Sequence, residues 1–292
     1  MRILTALCLL FATTTQADAP RVVTSIAPLQ GLVSEIMAGV GVPLLLLDAP
    51  SSSHHFALPP SKVRAISQAD IVFTIGLGME PWLQGLAQSH DPKTLFVALG
   101  EIPALHRLAP RELGDFAAGI DEHEPTTFDP HLWLEPENVL LWIDIITGVL
   151  TVTDRENTTA YHENADRARL DVQTAANLTR HKLADMTGVS MLVTHDSLQY
   201  FEVAFGLNVI GAFSASDGQQ AGAKTTSALL ETLGPRICIV EDTAHPAAIV
   251  NSLPNGFVHV TLDPMGYDIL GPKRSYPRLL ASITDALLKC RD

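Results

Sequence analysis

The sequence predicts an α/β protein with two lobes, each a roughly four-stranded parallel sheet flanked by helices, joined by one long α-helix. Short apolar runs alternate with helical patterns along the chain, which is typical of parallel sheets covered by helices. These apolar runs fall into two sets of four, and a long polar segment without glycine or proline separates the sets. With 292 residues, of which 47% are hydrophobic, the chain is large enough to bury the cores of two domains.

The strands and helices are predicted in the same order in both halves of the chain. In the first half we expect strands at residues 22–26, 42–47, 71–75 and 95–99, and helices at 29–37, 60–68, 81–88 and 136–150. In the second half we expect strands at 191–194, 208–212, 237–241 and 258–262, and helices at 198–205, 225–233, 246–253 and 276–289. Four strands in each half predict two similar lobes.

The polar segment between the two sets is predicted to form one helix. Asp154 is a suitable N-cap and Gly188 a suitable stop, so residues 154–186 would form a helix about 45 Å long at 1.5 Å per residue. Such a helix is a stiff connection between lobes. The predicted organisation is a signal peptide at 1–17, an N-terminal α/β lobe at 18–150, a linker helix at 151–187 and a C-terminal α/β lobe at 188–292.

The N-terminus has the pattern of a secretory signal peptide. Arg2 precedes an apolar run at residues 3–12, and small residues follow up to Ala17, after which we expect cleavage. The apolar run is too short to remain as a membrane-spanning helix. The mature protein is therefore expected to be exported, and the periplasm suits it best.

Two cysteines remain after removal of the signal, Cys238 and Cys290. Two cysteines in an exported protein usually pair, so we expect a disulfide that pins the C-terminus to the second lobe. Two inert buried thiols are the alternative.

The chain is acidic, with a formal net charge of -13. This balance argues against a nucleic-acid partner, because phosphate binding requires clustered Lys and Arg. The irregular acidic segment at residues 114–129 includes Glu122, His123 and Glu124. It is either a solvated acidic loop or a mobile loop that collects metal through these three side chains.

Four residues of metal-ligating type stand in four separate places: His54, His131, His195 and Asp263. Three imidazoles and one carboxylate are a plausible tetrahedral set for Zn²⁺. At least three of the four follow predicted strands, and open α/β sheets bind ligands at the carboxyl ends of their strands. His54 and His131 belong to the first lobe and the other two to the second, so the sequence predicts a metal in the cleft, bonded to both lobes. A role for Asp263 as a turn residue remains the alternative.

Three further residues follow a predicted strand of the second half: Glu241, Asp242 and His245. They are either surface groups or residues that orient a ligating imidazole through its other nitrogen. In a zinc-dependent hydrolase, the rival class, Glu241 would be the general base and water would replace Asp263. The chain contains no His-Glu-x-x-His pattern, and a fourth protein ligand closes the site, so we do not expect an enzyme.

The motifs around the candidate ligands, taken together and in order, resemble those of a known family. They are TSIAPL at residues 24–29, SHHFALPPS at 53–61, DIVF at 70–73, HLWLEPEN at 131–138 and THDSLQYF at 194–201. The chain is similar to the zinc-specific solute-binding proteins of bacterial ABC transporters, in the metal-binding class with a long connecting helix. The resemblance covers essentially the whole mature chain, and it aligns His54, not the adjacent His55, with the metal-binding position.

The resemblance implies a protein that captures Zn²⁺ in the periplasm and delivers it to an ABC permease. Manganese-binding relatives carry a carboxylate where His195 stands, and because Mn²⁺ prefers oxygen, the third imidazole favours Zn²⁺. A manganese-binding transporter component is the alternative. We expect a monomer whose partners are the permease and a periplasmic zinc chaperone.

Overall fold

The fold was analysed in a computed structural model of the chain. It describes residues 19–291 except for 49–55, 90, 112–113, 116–127, 217, 232–236, 249, 251–256 and 270–274. The predicted signal peptide, the candidate ligand His54 and the acidic-loop residues Glu122, His123 and Glu124 lie outside the described residues.

The first sheet is parallel, as predicted, with four strands in the order β2-β1-β3-β4. The strands are β1 Val22–Thr24, β2 Leu44–Leu45, β3 Ile71–Thr74 and β4 Leu95–Ala98. The two central strands are buried throughout, which explains why they read as continuous apolar runs. The edge strands β2 and β4 are more exposed.

The described residues of the first half include four α-helices: α1 Ala27–Ile36, α2 Pro60–Ser67, α3 Gln84–Ser89 and α4 Pro136–Thr153. A proline occupies the first or second position of α1, α2 and α4. At these positions its missing N–H costs no hydrogen bond and its fixed φ favours the start of a helix.

The helix α4 is the described helix whose length and composition would suit a membrane span. Its side chains Trp142, Ile143 and Ile146 are buried in the core, and the Trp142 indole donates a hydrogen bond to the Leu99 carbonyl at 3.1 Å. We therefore interpret α4 as a core helix.

The second sheet has five strands in the order β5-β7-β6-β8-β9. Its four parallel strands, β6 Ser190–Val193, β7 Asn208–Ala212, β8 Ile237–Asp242 and β9 Val258–Leu262, match the predicted ones. The fifth strand was not predicted. It is β5 Gly114–Asp115, which comes from the acidic segment of the first half and pairs antiparallel with β7.

The helices of the second half are α6 Gln199–Phe205, α7 Ala223–Glu231 and α8 Ser275–Leu287. Half of the helix predicted at 246–253, residues 249 and 251–253, lies outside the described part of the chain.

The long connecting helix is confirmed as α5 Thr158–Leu183, with 3₁₀ turns at Arg155–Asn157 and Ala184–Met186. Asn164 near its start donates hydrogen bonds of 2.9 Å to the carbonyls of Ile36 and Ala38, at the C-terminal end of α1. Near its end, the hydroxyls of Thr179 and Thr284 lie 3.2 Å apart, which ties α5 to α8. The helix therefore packs on both lobes along its length and does not merely bridge them.

The predicted disulfide is confirmed between Cys238 of β8 and Cys290. Cys290 lies in the 3₁₀ turn Leu288–Arg291 that follows α8. The two cysteines are 52 residues apart, and in the chain-entropy model a loop of that length stabilises the fold by about 4 kcal/mol. The bond fixes the last helix to the sheet that carries His195.

Candidate metal centre

Two imidazoles from different lobes meet at the carboxyl ends of the sheets. His131 precedes the 3₁₀ turn Leu132–Leu134 in the first half, and His195 follows β6 in the second. Their Nε2 atoms lie 3.3 Å apart, and their ring planes make an angle of 71°. Both side chains are almost completely buried. The structure thus brings together two of the four predicted ligands.

The orientation of His131 is set by a buried carboxylate. The His131 Nδ1–H lies 2.7 Å from Asp129 Oδ1, which also accepts the His131 backbone N–H at 3.0 Å. Asp129 is fully buried, and the Tyr200 hydroxyl donates to its backbone carbonyl at 2.9 Å. Because Nδ1 carries the proton, the Nε2 lone pair points toward His195. A carboxylate behind a ligating imidazole fixes the tautomer and raises its basicity.

The orientation of His195 is set by a neutral group. Its Nδ1 lies 3.4 Å from the Ser214 hydroxyl oxygen, and that hydroxyl donates its own proton to the Thr194 carbonyl at 2.9 Å. The Ser214 oxygen is therefore left as an acceptor for the His195 Nδ1–H. This arrangement places the Nε2 lone pair of His195 opposite that of His131.

Two nitrogen lone pairs facing each other at 3.3 Å are suited to hold one cation between them. Two nitrogen ligands on a tetrahedral Zn²⁺, at the usual bond length of about 2.0–2.1 Å, stand about 3.3–3.4 Å apart. The geometry and chemistry of this pair therefore fit zinc.

The third described candidate, Asp263, follows β9 at the same end of the second sheet. Its Oδ1 accepts the Met265 backbone N–H at 2.9 Å, which forms a tight turn. The Trp133 indole donates to the next carbonyl, that of Pro264, at 2.8 Å. Because Trp133 stands two residues after His131, this hydrogen bond holds the Asp263 turn close to the His131 segment of the first lobe.

Asp242 and His245 also approach His195. The described chain contains a group of three donors with ligand atoms all within 4.8 Å of one another, and it consists of His195, Asp242 and His245. The Asp242 N–H donates to Thr194 Oγ1 at 2.9 Å, and the His245 ring lies 4.0 Å from the His195 ring.

Glu241, which the sequence grouped with these residues, is directed elsewhere. Its Oε2 lies 2.9 Å from His259 Nε2, on the neighbouring strand β9. Because successive side chains of a strand point to opposite faces, Glu241 and Asp242 cannot both face His195. Strand alternation was the signal that could have separated them.

An ion-pair cluster beside His195 had no signal in the sequence. Arg111 forms a bidentate pair with Asp196 and a third bond, of 2.6 Å, with Glu202. Burial raises the pKa of Asp196, and Arg111 opposes that effect. Burial lowers the pKa of Arg111, but the hydrogen bonds and charges of the two carboxylates raise it overall. The cluster fixes the residue after His195 and anchors the chain just before β5.

Comparisons with known proteins show the family to which the chain belongs. A family model described as ZnuA, zinc-uptake complex component A, periplasmic, matches residues 22–290. The high-affinity zinc uptake system protein ZnuA of Brucella abortus (strain 2308) is 28% identical over 309 aligned positions, covering 92% of this chain and 91% of the relative. The protein of the same description from Paracoccus denitrificans (strain Pd 1222) is 26% identical over 310 positions, covering 94% and 93%.

Solved structures share the fold. The periplasmic zinc binding protein TroA from Treponema pallidum superposes with a TM-score of 0.80 at 19% identity, covering 92% of this chain and 98% of its own. A zinc-bound deletion mutant of ZnuA superposes with a TM-score of 0.76 at 20% identity, covering 93% and 97%.

Proposed function

Because the chain belongs to the family of periplasmic zinc-uptake complex component A, we propose that it captures Zn²⁺ in the periplasm and delivers it to an ABC permease. Zinc is the cargo of this process. The ligands are His54, His131, His195 and Asp263, so that each lobe contributes two. Binding one ion to both lobes links the closed state of the cleft to occupancy, which is the signal a permease can read.

The observation that carries this proposal is the spacing of 3.3 Å between the Nε2 atoms of His131 and His195, whose Nδ1 atoms lie beside the oxygens of Asp129 and Ser214. This spacing matches that of two imidazole ligands on one tetrahedral zinc. The hydrogen bond from Trp133 to Pro264 supports Asp263 as a further ligand, since it keeps the Asp263 turn beside His131.

We propose zinc capture without catalysis, because four protein ligands would leave no coordination position for water. A catalytic zinc keeps an open position for water and needs a general base. Glu241, the base that the hydrolase alternative requires, is paired with His259. Our proposal therefore includes no enzymatic activity.

The remaining parts of the proposal concern processing and assembly. Cleavage after Ala17 releases a mature monomer with lobes at 18–150 and 188–292 and the linker helix at 151–187. A periplasmic zinc chaperone supplies the ion, and Glu122, His123 and Glu124 act as an accessory collecting loop. Deleting residues 121–124 should then slow zinc uptake more than it changes equilibrium affinity. Equal uptake rates with and without the loop would make it a solvated connector.

The experiment that tests the function is metal analysis of the purified mature protein, followed by competition between Zn²⁺ and Mn²⁺. We expect one Zn²⁺ per chain and displacement of Mn²⁺ by Zn²⁺, because three imidazoles favour zinc. Retention of Mn²⁺ against equimolar Zn²⁺ would identify a manganese component. A chain that binds neither ion would overturn the proposal.

A further inference from the structure

The group formed by His195, Asp242 and His245 lies on the second lobe alone. Asp242 is nearly fully buried and is held by two contacts besides the one to Thr194: its Oδ1 accepts the Ala244 N–H at 2.8 Å, and its Oδ2 lies 3.3 Å from His245 Nδ1. That last separation is long for a charge-assisted hydrogen bond, but it matches two ligands on one tetrahedral zinc, which stand about 3.3–3.4 Å apart.

The imidazole of His245 lies against that of His195. The ring centroids are 4.0 Å apart with an angle of 32° between the planes, and the His245 side chain is 13% exposed. His245 therefore packs against one face of the His195 ring and is itself partly exposed to solvent. An ion that leaves His131 would meet His245 and Asp242 without breaking its bond to His195.

Resting on the proposed function, we propose that His195, Asp242 and His245 form a transfer position that the same Zn²⁺ occupies on its way into or out of the cleft. His195 is common to both sets of donors. Its imidazole binds either an ion shared with His131 or an ion shared with Asp242 and His245. The two positions are mutually exclusive, and stoichiometry stays at one.

The transfer position would solve a kinetic problem of an ion bound to both lobes. Opening the cleft requires the bonds to first-lobe ligands to break, and losing several ligands at once has a high barrier. Exchange of first-lobe ligands for Asp242 and His245, one after another, keeps the ion coordinated while the lobes separate. The position has three protein ligands, so it holds zinc more weakly than the four-ligand set and can release it.

The chain provides a matched control for the test. Glu241 and Asp242 are consecutive carboxylates of β8 on opposite faces, and each lies beside one histidine, His259 and His245 respectively. The variants His245→Asn and His259→Asn therefore remove the same group from two carboxylate–imidazole pairs, of which one contacts His195.

The first measurement is zinc release to a fluorescent chelator by stopped flow, using the mature full-length protein. We expect His245→Asn to slow release at least tenfold with zinc affinity within threefold of wild type, and His259→Asn to change neither. Asp242→Asn, which keeps an oxygen for the Ala244 N–H, should slow release in the same way. Release at the wild-type rate in His245→Asn would overturn the proposal, as would an affinity loss as large as that of His195→Ala, which would make His245 a permanent ligand.

The second measurement uses the His131→Ala protein, in which the interlobe pair is broken. Its residual zinc binding should fall at least tenfold further on adding His245→Asn and should not change on adding His259→Asn. Equal residual binding with and without His245 would overturn the transfer position. Failure of the proposed function is distinguishable, because the wild-type protein would then bind no zinc.

Discussion

The imidazoles of His131 and His195 turn the same nitrogen, Nε2, toward each other but are held in different ways. His131 is supported by the carboxylate of Asp129, fully buried and in direct contact with its Nδ1. His195 is supported by the neutral hydroxyl of Ser214 at a longer distance. A negative charge does lie beside His195, on Asp196, but that charge is paired with Arg111.

The difference between the two supports separates the effect of orienting an imidazole from the effect of placing a negative charge beside it. A hydroxyl is sufficient to fix the tautomer of an imidazole, whereas a carboxylate also makes the imidazole a stronger donor. Of the two proposed ligands, His131 of the first lobe is therefore the more strongly supported. His195 of the second lobe is the one that exchanges partners in the proposed transfer.

The largest expected effect comes from removing the cation that compensates Asp196. Arg111→Met leaves that carboxylate buried and unpaired, and breaking a buried pair on one side destabilises a protein by about 3–5 kcal/mol. Urea unfolding of the metal-free protein measures this loss of stability.

A matched control is Arg21→Met, which breaks the exposed pair with Asp70 and should change stability by less than about 1 kcal/mol. Equal stabilities of the two variants would show that the charge beside His195 needs no cation.

A buried carboxylate without an imidazole partner provides the next test. Glu80 is fully buried and accepts the backbone N–H groups of Ile75 and Gly76 at 3.1 and 2.8 Å. Burial raises its pKa to about 7, above the unfolded value of 4.5. The folded state thus binds the extra proton between these values. Its stabilising contribution is fully present below pH 4.5 and is lost as pH rises through 7, by about 3 kcal/mol.

Chemical unfolding of the metal-free protein at a series of pH values measures this dependence. Glu80→Gln should remove that part of the pH slope, whatever its effect on absolute stability. A slope unchanged by the substitution would assign the pH dependence to other groups.

Asp129→Asn tests the charged support of His131 directly. The variant keeps the shape and an oxygen that can accept the His131 N–H and Nδ1–H, so it removes the negative charge that makes His131 a stronger donor. We expect zinc affinity, measured by chelator competition, to fall about 10–100-fold.

Glu135→Gln serves as the control, since Glu135 pairs with the half-exposed His106 and not with a proposed ligand. Its affinity should stay within about twofold of wild type. If the Asp129→Asn protein bound zinc with the same affinity as this control, the charge of Asp129 would not strengthen zinc binding, and the two supports would not differ.

The smallest effect is expected for the neutral support. Ser214→Ala removes the hydroxyl that contacts both the Thr194 carbonyl and His195 Nδ1. The hydrogen bond to His195 joins neutral groups and contributes about 0.5–1.5 kcal/mol, or about two- to tenfold in zinc affinity. The same chelator competition measures it. A loss larger than that of Asp129→Asn would reverse the ranking of the two imidazoles.

Most of the fold could be predicted from local pattern. The absence of glycine and proline predicted α5, and continuous apolar runs predicted the buried strands β1 and β3. The strand β5 could not be predicted, because two residues of an acidic segment carry no periodicity and pair with a strand far along the chain.

The candidate metal site could likewise be predicted only in part. His131 and His195 were predicted from strand ends and motifs, and the structure brings them together. The contact of Arg111 with Asp196 joins residues 85 apart in sequence, so no local sequence pattern predicts it. His54 and the loop residues Glu122, His123 and Glu124 remain predictions.

The central claim, that one zinc ion is bound by an imidazole from each lobe, is tested most directly by zinc affinities of four proteins at neutral pH: wild type, His131→Ala, His195→Ala and His259→Ala. We predict that each of the first two substitutions weakens binding by more than about 100-fold, the upper range for groups that only support a ligand, and that His259→Ala has no effect. An affinity within threefold of wild type for either His131→Ala or His195→Ala would contradict the account.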